Sequence, residues 1–228
     1  MSAIVNTLLA SLPRKAYQDL APALAPMILR AGDVIYEPAQ AIAHVYFPEE
    51  CLLSLFTTVV GHVDLEIAMV GREGMLGISL AFGDDVPGVR AIVQGGGAAR
   101  RLERRAFVLA LRGSAPLRRA VYGYVGNRMD QVVRNVACTR FHSLESRLAR
   151  KLLMTRDSLK AGAFRMTQEL LSSMLGVRRE GVTEAASNLR RRKLIEYSRG
   201  HILIVDVRGL ETASCPCYAA GKRGARRP

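Results

Sequence analysis

Arg179 and Glu180 stand side by side in the run Thr-Gln-Glu-Leu-Leu-Ser-Ser-Met-Leu-Gly-Val-Arg-Arg-Glu-Gly-Val-Thr-Glu-Ala-Ala-Ser-Asn-Leu that begins at Thr167. Held at the rim of a groove, a guanidinium can bond guanine O6 and N7 together and a carboxylate can accept from cytosine N4. Each good pair of this kind contributes ~1–3 kcal/mol of discrimination between bases. A second constellation is Cys138-Thr-Arg-Phe-His142 with Cys215-Pro-Cys217. Thiolates and an imidazole could form a zinc or redox site if the tail folded back to meet the first group. Read without that proximity, Cys138 is a helix residue, His142 a capping or hydrogen-bonding side chain and the tail pair exposed, so no metal or cofactor is assigned. His44, His62 and His201 stand alone. Catalytic patterns do not occur: there is no Gly-x-x-x-x-Gly-Lys-Ser/Thr, no Gly-x-Ser-x-Gly and no His-Glu-x-x-His. Asp64 and Glu66 share a strand face without a partner acid or base and read as its solvated side, so an enzyme is not expected.

The elements that would carry Arg179 and Glu180 are two short helices. Thr167 is an N-cap candidate with Glu169 in the first turn, where the helix dipole favours an anion. Leu170, Leu171, Met174 and Leu175 make a buried face, and Gly176 supplies a left-handed residue that ends the helix. A second helix begins within about three residues and turns Val182, Ala185, Ala186 and Leu189 inward at i, i+3, i+4, i+7. This is a helix-turn-helix. Its outward face carries Arg179, Glu180, Thr183, Glu184 and Ser187; the plainer alternative is a solvated face on an ordinary helical hairpin. Leu194 to Val205 reads as a β-hairpin around Arg199-Gly200, a wing beside the helices. Arg190, Arg191, Arg192, Lys193 and Arg199 are placed to meet phosphates, which fix register without reading sequence. The expected DNA contacts are Thr167, Gln168, Arg178, Arg179, Glu180, Thr183, Glu184, Arg191 and Arg199.

Charge agrees with this. The 228 residues carry a formal +13. Residues 142–228 hold 18 basic and 8 acidic groups against 15 and 12 in residues 1–141, so about +10 lies in the last third, the footprint of a polyanion-binding region. Apolar residues at 49% and charged residues at 23% exclude disorder and fibrous repeats. No apolar run approaches the ~18 residues of a membrane helix. The N-terminal stretch reads as an amphipathic helix, not a secretion signal. Four cysteines are too few for a disulfide scaffold, and a cytoplasmic protein without a membrane partner is expected.

Upstream, a helical start around Leu8 to Leu24 gives way, from about 28 to 104, to short strand-like runs at Leu53–Thr57, Val63–Met69 and Ala91–Gln94, with glycine-rich turns between them. A sandwich or barrel follows. After Pro116, Val121, Val125, Met129, Val132 and Val136 recur at steps of four, four, three and four, one narrow stripe on a long helix. Such a stripe suits a parallel two-helix seam in a homodimer; the alternative is packing on its own β domain. The fold class is α+β. An antiparallel β-roll (jelly-roll-like) sensor domain at 1–115 precedes a central dimerisation helix at 116–141, a winged helix-turn-helix at 142–212 and a basic tail at 213–228.

This order of parts resembles the Crp/Fnr family of bacterial transcription regulators over nearly the whole chain. Glu73-Gly-Met-Leu-Gly77 with Val89-Arg-Ala91 is similar to the family's phosphate cassette, Arg147-Leu-Ala149 to the helix after its hinge, and Thr167–Val182 to its helix-turn-helix. The resemblance implies that Arg179 and Glu180 read bases, that the partners are a second copy, a pseudo-palindromic double-stranded operator and RNA polymerase, and that Val177 and Arg178 replace a capping Ser or Thr. Glu184 replaces a second base-reading Arg of some members. The cassette departs further: Gly77 is followed by Ile78 where a Glu would hold a ribose hydroxyl, and the cyclic-phosphate Arg falls near Asp84 or Asp85. The corresponding pocket would involve Gly77, Ile78, Arg90, Ala91 and Val132, with Arg90 read as a surface ion pair. Binding of cyclic AMP is therefore not expected. The family's cluster cysteines near the N-terminus are missing, since the first cysteine is Cys51. The function expected is a dimeric, sequence-specific DNA-binding regulator whose β domain senses another signal. The alternative is a ligand-sensing or thiol- or metal-sensing dimeric scaffold whose winged helix docks a protein.

Overall fold

The computed structural model describes residues 4–58 and 64–224; His62 and Val63 lie outside them. The chain forms two compact units, one from residues up to Thr57 with Ala68–Met129, the other from Thr58–Ile67 with residues from Asp130 onward.

In the first unit the helical start is split into α1 (Thr7–Ala10) and α2 (Arg14–Leu20). Pro13 is the N-cap of α2, and a 3-10 turn over Ala21–Ala23 carries Pro22. Among the described residues the strands that follow are β1 (Ala25–Leu29), β2 (Val34–Tyr36), β3 (His44–Pro48), β4 (Leu52–Thr57), β5 (Leu65–Val70), whose residues up to Ile67 belong to the second unit, β6 (Arg90–Gly95) and β7 (Gly97–Glu103). They make two sheets with orders β1-β7-β3 and β2-β6-β4-β5. Their inward residues, among them Leu29, Val45, Phe47, Leu53, Val93 and Leu102, belong to one buried cluster. This is the sandwich that the recurring turns implied. The chain changes sheet between β6 and β7. A Cβ on Gly97, whose φ is 155°, would lie 2.6 Å from the Glu50 carbonyl oxygen, so only glycine passes there.

Two helices follow, α3 (Arg104–Gly113) and the 27-residue α4 (Ala115–Phe141). The stripe on α4 is not one continuous seam. Val121 is fully buried with Leu117 and Tyr124 in the core of the first unit and is unavailable to a partner. Val125 is half-buried, whereas Met129, Val132, Val133 and Val136 are exposed, Val136 by 68%. A 3.6-residue period fixes spacing but not which neighbour a stripe meets.

The second unit contains the last turns of α4, then α5 (Leu144–Leu159), β8 (Ala163–Arg165), α6 (Gln168–Leu175), α7 (Arg179–Arg191), β9 (Ile195–Ser198), β10 (His201–Ile204), α8 (Val207–Ala213) and α9 (Cys217–Gly224). Glu66 is not on a solvated face: its carboxylate is buried and pairs with Lys151 of α5. Asp64 accepts from the Thr58 hydroxyl at 2.6 Å. No helix among the described residues is long and apolar enough to cross a membrane.

In the first unit, Asn6 is completely buried and caps α1, accepting from the Leu9 amide at 3.0 Å. Its amide donates to the Pro48 and Gly74 carbonyls at 2.8 and 2.9 Å. Asn6→Ala strands both carbonyls, and urea unfolding should show a loss on the order of 3 kcal/mol.

Candidate nucleic-acid interface

Thr167 is the N-cap of α6, its hydroxyl oxygen accepting from the Leu170 amide at 3.1 Å. Gly176 closes the helix at φ 63°, and a Cβ there would meet the Leu65 side chain at 2.7 Å. Two further bonds shape the turn: buried Ser172 donates its hydroxyl to the Val177 carbonyl, and Arg147 donates to the Leu175 carbonyl. Arg178 is the N-cap of α7 and makes no side-chain capping bond, as expected where Ser or Thr is replaced. Glu180 in the first turn and Arg190 and Arg191 in the last complement the helix dipole.

Val182, Ala185, Ala186 and Leu189 are buried, which leaves Arg178, Arg179, Glu180, Thr183, Glu184 and Ser187 exposed on α7. The Thr183 hydroxyl donates to the Arg179 carbonyl at 3.0 Å. Of the sites flanking α6, Thr167 is exposed and Gln168 half-buried. Among the basic flank, Arg191 donates to Asn188 of its own helix and Arg192 to Glu145, while Arg190, Lys193 and Arg199 are exposed. The wing has a third strand that its sequence did not announce, giving the order β8-β10-β9. Ser198 and His201 pair across Arg199-Gly200, whose φ values of 48° and 79° are those of a tight hairpin turn.

Residues 146–213 match the family model described as Crp-like helix-turn-helix domain. The chain carries a Crp-like helix-turn-helix. No curated protein matches it in sequence. Among solved structures, a protein from Eubacterium rectale assigned to the Crp/Fnr regulators is 18% identical, with a TM-score of 0.72 over 90% of this chain and 96% of that one. A Crp/Fnr-family transcriptional regulator from Thermus thermophilus is 21% identical (TM-score 0.70; 83% of this chain, 98% of that one). FixK2 from Bradyrhizobium japonicum is 15% identical (TM-score 0.71; 84% and 98%). These likenesses establish the Crp/Fnr fold over most of the chain.

In the first unit the residues that resemble a phosphate cassette border a cavity of about 200 Å³ lined by Tyr36, Gly77, Ile78, Asp84, Tyr124 and Arg128, among others. That volume is below the ~300 Å³ at which small-molecule pockets usually begin. Arg128 bonds the Tyr124 hydroxyl at 2.8 Å and stacks over its ring, and burial raises both the Tyr36 and Tyr124 phenols above their ordinary range. The pocket set needs correction. Gly77 and Ile78 line this cavity, but Arg90, Ala91 and Val132 do not. Arg90 pairs with Glu37 at 3.1 Å, Ala91 is fully buried in β6, and Val132 belongs to the other unit. Sequence reasoning missed a larger feature of this unit, an open groove of about 820 Å³ that includes Asp85, Arg104, Arg105, Arg112, Arg118 and Tyr122. Four arginines there come from α3 and the start of α4, and Arg104 pairs with Asp85.

The Cys and His residues expected to stay apart are together in the second unit. Cys138, His142, Cys215 and Cys217 have their ligand atoms within 4.8 Å of one another. Cys215 is buried rather than exposed, and burial pushes its thiol up to about 12.

Gly176→Ala adds a side chain at a left-handed residue and against Leu65, and should lower stability toward urea by at least ~1–2 kcal/mol. Gly123→Ala, in open space within α4, should be neutral or slightly stabilising.

Proposed function

We propose that the protein is a homodimeric, sequence-specific transcriptional regulator of the Crp/Fnr type, acting in the cytoplasm on double-stranded DNA and not an enzyme. The observation that carries the reading is α7, anchored by Val182, Ala185, Ala186 and Leu189 while Arg179, Glu180, Thr183 and Glu184 face solvent beside an exposed basic flank. Inserted into a major groove, the N-terminal turn of α7 would present Arg179 and Glu180 to base edges, while Arg190, Lys193 and Arg199 would meet phosphates.

What supports a dimer is the exposed apolar set Met129, Val132, Val133 and Val136 on α4. A second copy joined along it would set two recognition helices ~34 Å apart, one turn of DNA. The signal is assigned to the first unit and not to cyclic AMP. Asp84 puts a carboxylate on the cavity where a phosphate would need a cation, and Arg128 is already engaged with Tyr124. Contact with RNA polymerase is proposed from the family resemblance alone.

Selection of bound sites from random DNA should return a pseudo-palindrome. Arg179→Ala and Glu180→Ala should each cost ~1–3 kcal/mol on that site and relax its preference at one position, read by fluorescence anisotropy. Arg199→Ala should weaken all sequences alike and reduce the slope of log affinity against log salt by about 1. No preference at low salt would refute the reading. Val132→Glu with Val136→Glu should turn the dimer into a monomer in analytical ultracentrifugation; an unchanged dimer excludes the α4 seam.

A further inference from the structure

Cys138 lies in the last turn of α4 and His142 is the residue just past its end, its amide donating to the Cys138 carbonyl at 3.1 Å. Cys215 and Cys217 come from the segment between α8 and α9, on either side of Pro216. All four belong to the second unit. The Cys138 and Cys215 sulfurs are 3.4 Å apart, and the Cys217 sulfur is 3.8 Å from His142 Nδ1. We propose that these four side chains bind one zinc ion, or another divalent ion of the same thiolate and imidazole preference, as a Cys3His site. This stands independently of the DNA-binding reading.

Geometry carries the proposal. Metal–sulfur bonds of ~2.3 Å and metal–nitrogen bonds of ~2.0–2.1 Å at tetrahedral angles separate neighbouring ligand atoms by roughly 3.5–3.8 Å. Both measured separations fall close to that span, and the limit of 4.8 Å on the others is closed by side-chain rotation. The donor set is four soft or borderline groups with no carboxylate, which suits zinc over magnesium or calcium. A Cys138–Cys215 disulfide, requiring ~2.05 Å between sulfurs, would account for two of the four and leave Cys217 and His142 beside it for no reason.

The surroundings fit an anionic centre. Three thiolates around a divalent ion leave one net negative charge, and the guanidinium of Arg147 interacts electrostatically with both Cys138 and Cys215. Cys217 is the first residue of α9, where the helix N-terminus favours a thiolate. The segment is already held against α5: the Cys215 amide donates to the Ser146 carbonyl at 3.3 Å, and the Tyr218 hydroxyl to Asp157 at 2.7 Å. A bound ion would tie the end of α4, across the bend at His142 and Ser143, to the segment that follows α8. It would thereby fix the direction in which α5, and α7 packed on it, leave α4.

The test uses the full chain, reduced, stripped with a chelator and titrated with Co(II) alone and then Zn(II). One equivalent of Co(II) should give thiolate-to-cobalt charge-transfer absorption with the intense visible bands of a tetrahedral site, and Zn(II) should displace it. His142→Ala and Cys217→Ser should each weaken binding by more than the ~10–100-fold that follows a change in residues supporting metal ligands. Cys51→Ala, in the core of the first unit, should leave one equivalent bound. Absence of the charge-transfer absorption at stoichiometric cobalt, or absorption unchanged in Cys217→Ser, would overturn the site.

Discussion

The close approach of α5 to α7 is the constraint on which the exposed charged face of α7 depends. A Cβ on Gly181 would lie 3.0 Å from the Leu144 side chain, and the next inward positions of α7 are Val182, Ala185 and Ala186. Small residues let the helices meet closely, and Leu148, Leu152 and Leu153 of α5 are completely buried. Gly181 weakens helix formation by about 0.5–1 kcal/mol relative to Ala; the packing that it permits offsets this. With that face committed to α5, the remaining face of α7 has to be the charged one. The exposure of Arg179 and Glu180 is thus a consequence of where the alanines and the glycine fall.

This explains why the helix-turn-helix is legible in the sequence and much of the β-roll is not. The former is written in local signals: the Thr167 cap, the left-handed Gly176, one apolar period on each side, and Arg199-Gly200 at the wing turn. The sandwich is made by pairings between distant residues, such as Tyr46 with Arg101 and Met27 with Ala99. Its strand β7, Gly-Ala-Ala-Arg-Arg-Leu-Glu, has too few apolar residues to announce itself, though Ala99 and Leu102 are buried. Glu66 misleads for the same reason, because its partner Lys151 is contributed by a helix far along the chain. Nor can spacing reveal that Cys138 and Cys215, 77 residues apart, meet.

In the first unit the residues that resemble a phosphate cassette meet charges of the chain itself. Sequence placed a carboxylate near the phosphate position, and Asp84 does line the cavity, accepting from the Val86 amide at 3.1 Å. Arg90, the one cassette arginine, is drawn to Glu37 instead. Two tyrosines occupy the cavity wall, and the nearby guanidinium of Arg128 is held by one of them. A ligand acts on a regulator only through a difference in its affinity for two arrangements. The cavity is small and the guanidinium beside it is engaged, whereas the groove lined by α3 and the start of α4 is larger and carries four arginines.

The C-terminal half of α4 divides its faces in a way that links its two expected roles. Asn135 donates to the Ile67 carbonyl at 3.3 Å and accepts from Arg150 at 2.7 Å, and Cys138 is buried. Positions 135 and 138, three apart, therefore form one inward line within the second unit, and His142 follows just past the end of the helix. Val132, Val133 and Val136 fall outside that line and are the exposed ones. The helix cannot turn its valines inward without withdrawing Asn135 and Cys138, since all ride on one rigid cylinder. Any interaction that clamps the inward line, whether the bond to Arg150 or a metal on Cys138 and His142, consequently holds the valine stripe toward solvent, in the orientation that a second copy would need.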